Sequence, residues 1–257
     1  MTAPVAWITG GGTGIGRALA QALCRQGYRV AITGRRVEVL QEAARQIRSI
    51  IPRGEILPLA GDVTHSASMD SVYAVLQQRW GNPDLLINNA GQHSHDTFDD
   101  TSPETYLRLL DVNFLSTVRC THKVLPEMRQ KGRGAIVNVS SIYGRWASAD
   151  SVAYSVSKYA VAGFTDGLRQ ELGRTGIHVM GVFPGFIRTD MTDPFLKPGS
   201  IKAFFGAAPD QLAQAVLRGL KRRQPEVCYP WYVPWAWRFH RWMPTWSDAF
   251  AQRFRHG

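Results

Sequence analysis

The chain has 257 residues, 44% of them apolar, and a formal net charge of +10 at pH 7. That apolar content suffices for one open α/β domain with a full core, and no run reaches the roughly 18 apolar residues a helical membrane span needs. The charge invites an anionic partner without identifying nucleic acid, because no recognisable nucleic-acid-binding module accompanies it.

Met1 to Trp7 lacks the basic start and apolar run of a secretory signal, so the body is expected in the cytoplasm. Cys24, Cys120 and Cys228 are odd in number and far apart, as expected of reduced structural thiols.

Val5 to Thr9 reads as a buried strand running into the glycine turn Gly10-Gly11-Gly12-Thr13-Gly14-Ile15-Gly16. Ile15, Leu19, Ala22 and Leu23 then recur at helical spacing as far as a stop at Gly27. A second strand, Tyr28 to Thr33, leads into Gly34-Arg35-Arg36, and Val37 to Ile50 is helical in pattern. Glu55 to Leu59 is strand-like, Ser68 to Trp80 is an amphipathic helix ended by Gly81-Asn82-Pro83, and Asp84 to Asn88 is a fourth strand. Pro103 to Met128 reads as one long helix, Gly134 to Ser140 as a strand, Ala153 to Thr175 as a second long helix and Ile177 to Phe183 as a further strand. This alternation predicts a Rossmann-like, doubly wound parallel sheet with helices on both faces and a ligand at its carboxyl edge.

Tyr154 and Lys158 stand four residues apart, with Ser141 thirteen residues before the tyrosine. On a helix that step rotates about 40° and rises about 6 Å, so phenol and ammonium leave the same face. Together with the glycine turn, Asn88-Asn89-Ala90-Gly91 and Pro184-Gly185-Phe186-Ile187-Arg188-Thr189, this pair resembles the short-chain dehydrogenase/reductase family in its compact single-domain form. The resemblance runs roughly from residue 5 to residue 225.

The resemblance implies an oxidoreductase with a nicotinamide cofactor. Gly10, Thr13, Gly14, Ile15 and Gly16 are then the pyrophosphate turn, where missing side chains let backbone N–H groups approach charge. An acidic residue at the end of the second strand would bind the ribose hydroxyls of NAD. Here Gly34 stands at that place and Arg35, beside Arg36, offers a cationic fork to a 2′-phosphate, so NADP(H) is expected over NAD(H). By the same resemblance Asp62 and Val63 lie along the adenine, and Asn89, Ala90 and Gly91 close the strand edge behind its ribose. Pro184, Gly185, Ile187 and Thr189 border the nicotinamide.

The catalytic set implied is Asn113, Ser141, Tyr154 and Lys158. Tyr154 is the proton donor, and it faces the cofactor as well as the substrate. Lys158 holds the nicotinamide ribose and, together with the oxidised nicotinamide, favours the phenolate. Lowering a phenol from pKa about 10 by about three units requires about 4 kcal/mol of differential interaction. Ser141, rather than its neighbour Ser140, donates to the substrate oxygen, and Asn113 positions a water relay ending at Lys158, unless it only satisfies a local helix bend. His93 and His95 lie close together, but no carboxylate or cysteine cluster completes a site, so no metal is expected. His93 reads as a pocket-rim residue or as loop polarity.

Between Asp190 and Ala208 the chain is loop-like yet carries Phe195, Leu196, Phe204 and Phe205, which reads as an apolar lid over a lipophilic carbonyl compound or alcohol, or as packing against a neighbouring subunit or the tail. The single catalytic domain is placed at residues 1–228 and a Trp/Arg-rich extension at 229–257. Eight Lys or Arg residues lie between Arg218 and Gly257 against Glu226 and Asp248. Trp235, Phe239, Trp242, Trp246 and Phe250 form a near-helical stripe with Arg238 and Arg241 to one side, interrupted at Pro244. Such a stripe packs on the protein's own body, on another subunit of a homodimer or homotetramer, or peripherally on the inner membrane surface.

The reaction expected is interconversion of a lipophilic ketone or aldehyde and its alcohol, with no nucleic-acid partner. The alternatives are a 3-oxoacyl thioester reductase served by an acyl carrier protein and, in a different class, a cofactor-sensing or membrane-associated interaction protein that works through its tail.

Overall fold

The computed structural model describes residues 2–192 and 206–253, with side chains to residue 249. Strands β1 (Val5–Thr9), β2 (Arg29–Gly34), β3 (Ile56–Ala60), β4 (Leu85–Asn88), β5 (Gly134–Val139), β6 (Ile177–Pro184) and β7 (Glu226–Tyr229) form one sheet in the order β3-β2-β1-β4-β5-β6-β7. Every neighbouring pair is parallel. The helices α1 (Gly14–Arg25), α2 (Val37–Ile50), α3 (Ser66–Trp80), α4 (Pro103–Leu110), α5 (Ser116–Lys131), α6 (Val152–Glu171) and α7 (Pro209–Lys221) connect them. This is the doubly wound α/β fold that the alternation predicts.

The alternating side-chain direction along a strand divides the core in two. Ala6 and Ile8 of β1 join Leu19, Leu23, Leu40, Leu212 and Val216 under α1, α2 and α7. Val5 and Trp7 join Met69, Leu76, Cys120, Val124 and Leu168 under α3, α5 and α6. The chain winds from β1 out to β3 and then crosses back to β4 beside β1, so the strand order reverses at the β1–β4 boundary. A cleft opens beyond the carboxyl ends of strands at such a reversal.

The structure corrects the long helix expected from Pro103 to Met128. It breaks into α4 and α5 around a π-helical turn, Asp111–Leu115, that carries Asn113. Helix α7 and strand β7 lie where periodicity assigned no element. Tyr229 is the last residue of β7, and the chain beyond it forms α8 (Val233–Trp242) and α9 (Pro244–Arg253). Pro244 interrupts the helix as anticipated and opens α9, where a missing N–H costs nothing. No helix among the described residues is long and apolar enough to cross a membrane.

The extension grips the body with its inner side. Val233 and Ser247 are buried, His240 stacks on Trp146 with ring centroids 5.4 Å apart, and the Tyr232 hydroxyl accepts from the Phe186 N–H at 3.1 Å. The aromatic stripe itself faces outward rather than onto the body: Trp235, Phe239, Trp242 and Trp246 are all exposed.

Candidate active site

A cavity of about 300 Å³ occupies the cleft. Its wall holds Gly10, Thr13, Gly14 and Ile15 from the first turn, Arg35 and Arg36 after β2, and Asp62 and Val63 after β3. Asn89, Ala90 and Gly91 after β4, Tyr154 and Lys158 of α6, and Pro184, Gly185, Ile187 and Thr189 after β6 complete it. With Ser140 and Ser141 after β5, residues from six strand ends thus meet in one space.

Gly16 does not line that space. Its backbone packs so closely under the turn that a Cβ there would lie 2.1 Å from the Gly10 carbonyl oxygen and 2.6 Å from Asn89 Nδ2. Gly14 adopts φ +49°, and a Cβ on it would project to 3.0 Å from Thr189 Cγ2, closing the cleft between the turn and the β6 loop. Asn89 Nδ2 donates to the carbonyls of Thr9 and Gly10 at 3.0 Å each, while Thr9 Oγ1 accepts the N–H groups of Asn89 and Ala90 at 3.0 Å each. These bonds hold the β1 and β4 turns together.

At the far end, Arg35 is exposed at the cavity mouth. Burial acts to raise the Asp62 carboxyl, but hydrogen bonds from the Thr64 N–H and hydroxyl, with Arg35 and His65 nearby, outweigh it and hold the carboxyl below its ordinary value. Gly34 is not sterically required: a Cβ there would meet only Leu40, at 3.5 Å.

At the inner end, Tyr154 and Lys158 leave α6 on one face, as their spacing predicts, and both are buried. Lys158 Nζ lies 5.7 Å from the Tyr154 ring centroid and donates to the Val139 carbonyl at 3.0 Å. The expected lowering of the phenol does not arise from the protein's own groups. Burial pushes Tyr154 up to about 12, opposed by a hydrogen bond with Ser141 and reinforced by Tyr143, and burial pulls Lys158 down to about 8. Desolvation disfavours both charged forms and is the largest influence on each.

Ser140 and Ser141 part company in space. Both line the main cavity, but Ser140 Oγ donates to the Lys158 carbonyl at 2.8 Å and braces α6, whereas Ser141 also lines the side cavity beside Tyr154 and accepts the Tyr143 N–H at 3.1 Å. Asn113 sits in the π turn, a kind of helical bulge that recurs at functional sites. Its Oδ1 accepts the Gln92 N–H at 2.7 Å, and its Nδ2 donates to the Gln92 carbonyl at 3.0 Å and to Ser157 Oγ at 2.8 Å. A Cβ on Gly91 would lie 3.0 Å from Asn113 Oδ1 and 3.4 Å from Lys158 Nζ, so these two groups flank one glycine.

A side cavity of about 80 Å³ opens beside Tyr154, walled by His93, His95, Ser141, Ile142, Tyr143 and Phe186, among others. The His93 ring tilts over Tyr154 with centroids 4.3 Å apart, His95 Nδ1 lies 3.3 Å from Ser151 Oγ, and Tyr143 meets Tyr154 edge-on at 6.2 Å. Ile142, Tyr143, Phe186 and Met191 escaped sequence reasoning, although Tyr143 follows Ser141 so closely that proximity would have found it. Phe195, Leu196, Phe204 and Phe205 lie outside the described residues. Among the described residues no group of three His, Cys, Asp or Glu side chains has metal-holding geometry.

The comparisons agree with this geometry. The family model for short chain dehydrogenases matches residues 4–198. An uncharacterized oxidoreductase of Staphylococcus aureus is 33% identical over 220 residues, covering 86% of this chain and 92% of the relative. An actinorhodin polyketide ketoreductase solved with NADPH superposes at a TM-score of 0.82 with 27% identity, over 90% of this chain and 97% of that one. A Sphingobium yanoikuyae short-chain dehydrogenase, also in complex with NADPH, gives 0.80 and 28%, over 97% and 94%. The chain belongs to the short-chain dehydrogenase/reductase family and is an NAD(P)-dependent oxidoreductase.

Proposed function

We propose that this protein is an NADP(H)-dependent reductase interconverting a lipophilic ketone or aldehyde and its alcohol. The observation that carries the reading is a single cavity with Ser141, Tyr154 and Lys158 at one end and Arg35 at the other, next to a glycine where an acid would select NAD. The residues fit a dinucleotide: bare backbone at the glycine turn, a cation at the mouth and a buried proton donor within. The pyrophosphate would lie against Gly10, Thr13, Gly14 and Ile15, a 2′-phosphate against Arg35 and Arg36, and the nicotinamide against Pro184, Gly185, Ile187 and Thr189. The two similar structures solved with NADPH support the phosphorylated cofactor.

When bound, the nicotinamide supplies the hydride. As the carbonyl π pair moves onto oxygen, the Tyr154 hydroxyl gives that oxygen its proton and Ser141 donates a second hydrogen bond to the developing charge. Tyr154 is a protonated phenol at neutral pH, the state a proton donor needs, and burial raises it further. Lys158 stands next to it to stabilise the phenolate left behind, and Asn113, held by Gln92 and Ser157, belongs to the relay that returns the proton. The wall of His93, Ile142, Tyr143, Phe186 and Met191 around Tyr154 is chiefly apolar, which suits a lipophilic substrate.

The similarity to a polyketide ketoreductase, with the +10 charge, favours a second reading, a 3-oxoacyl thioester reductase docking an acidic carrier. We place the protein in the cytoplasm as a homodimer or homotetramer, with its extension in peripheral reach of the inner membrane surface. Oxidation of NADPH and NADH against ketones, aldehydes and free or carrier-linked 3-oxoacyl thioesters, with Tyr154→Phe as control, tests the reading. Tyrosine-dependent turnover of free lipophilic carbonyls with NADPH is expected, carrier dependence favours the second reading, and full activity of Tyr154→Phe refutes both.

A further inference from the structure

Helix α8 turns its largest aromatic side chains outward. Val233, Ala236, Trp237 and His240 face the body, while Trp235 is 65% and Trp242 84% exposed on the opposite face, with Phe239 between them. Trp231, 74% exposed, precedes this face and Trp246, 69% exposed, extends it into α9. A water-facing surface helix normally carries its polar side outward, whereas here the outer side as well as the inner side is apolar. A contiguous exposed aromatic face of this kind marks an interaction surface.

The charge beside the face is of one sign. The Arg238 guanidinium lies 5.7 Å from the Trp235 ring and 5.8 Å from the Trp237 ring, and Arg241 is exposed one turn of chain away. No acidic residue occurs between Glu226 and Asp248, and Asp248 lies 3.7 Å from His240. A second copy seated two-fold on the same face would oppose arginine to arginine with no acidic residue from that stretch to offset them. Tryptophan and arginine together match the boundary between acyl chains and anionic headgroups. Helices of ten residues each span about 15 Å, half of the hydrocarbon thickness, so they lie in the interface and do not cross it.

We propose that the α8–α9 face docks the protein on an anionic lipid surface. The docking rests on the peripheral location proposed above and is independent of the reaction. Its placement has a consequence for substrate. Tyr232, adjacent to Trp231, accepts the N–H of Phe186 on the side-cavity wall, and His240 stacks on Trp146 just after the Ser141 loop. The lipid-facing helix is therefore tied to the substrate wall, and a lipophilic carbonyl compound dissolved in the bilayer would be concentrated near Tyr154.

Co-sedimentation of the full-length protein with vesicles tests this, using phosphatidylcholine alone and phosphatidylcholine mixed with phosphatidylglycerol. Binding to the mixed vesicles is expected to be about tenfold or more tighter and to weaken with salt, since each arginine near an anionic surface contributes about 1 kcal/mol. Trp235→Ala/Trp242→Ala/Trp246→Ala should lose the binding, and Arg238→Gln/Arg241→Gln should lose only the preference for the anionic lipid. NADPH affinity, unchanged in both, reports that the fold survives. Recovery of the wild type in the supernatant with both vesicle types overturns the proposal. So does concentration-dependent self-association abolished by the triple substitution without vesicle binding, which assigns the face to a second copy. No substrate is used, so a failure here leaves the assigned reaction standing, and absence of turnover leaves the docking standing.

Discussion

Replacing Lys158 with methionine should stabilise the protein while removing the proposed catalytic cation. Lys158 is 4% exposed, and burial lowers it from 10.5 to about 8. At pH 7 the ammonium is charged in both folded and unfolded chains, so a shift of this size is a folding penalty of about 3 kcal/mol. Methionine keeps an unbranched stem of similar length but gives up the hydrogen bond to the Val139 carbonyl, a loss of about 1 kcal/mol. The net expectation is Lys158→Met more stable than wild type by about 2 kcal/mol at pH 7.

The pH dependence gives this expectation a sharper test. Between the folded value near 8 and the unfolded value of 10.5, the unfolded chain binds the extra proton, so wild-type stability rises with pH relative to the variant. By pH 10 the residual penalty is about 1 kcal/mol, equal to the lost hydrogen bond, and the two proteins should unfold together. Urea unfolding of both proteins without cofactor at pH 7 and pH 10 measures the difference. A variant less stable than wild type at pH 7, or a gap that does not shrink by pH 10, refutes the claim that burial dominates at this site.

Three further outcomes follow from particular contacts. Gly34→Asp has room beside Leu40 and places a carboxylate near Arg35, so the ratio of NADPH to NADH affinity should fall by about tenfold or more, read by fluorescence titration of each cofactor. Gly16→Ala drives a methyl to 2.1 Å from the Gly10 carbonyl oxygen, which should cost about 3 kcal/mol in urea unfolding and weaken NADPH binding, whereas unchanged stability would contradict the packing. Tyr232→Phe removes an acceptor from the Phe186 N–H and leaves the catalytic groups in place, so it should raise KM more than it lowers kcat, with a stability loss of about 1 kcal/mol.

Much of this molecule was legible in its sequence because the relevant rules are local. The strand and helix alternation, the glycine turn and the four-residue step from Tyr154 to Lys158 depend on backbone periodicity, and the structure places these motifs around one cleft. The absence of an acid at Gly34, with Arg35 beside it, was legible in the same way, since it is a matter of residue identity at a strand end. The π turn at Asp111–Leu115 was not, because it arises where one asparagine satisfies Gln92 and Ser157, residues 21 and 44 positions away.

The protonation of the site belongs to the tertiary structure for a related reason. Spacing shows that an ammonium neighbours a phenol, but desolvation is a sum over every group packed around them, and among the protein's own groups that sum raises Tyr154. The outward face of α8 was equally out of reach. Apolar residues lie on both the inner and the outer side of that helix, so its hydrophobic pattern does not choose which is buried; the choice falls to Val233, Tyr232 and His240, which dock on the body and leave Trp235 and Trp242 outward.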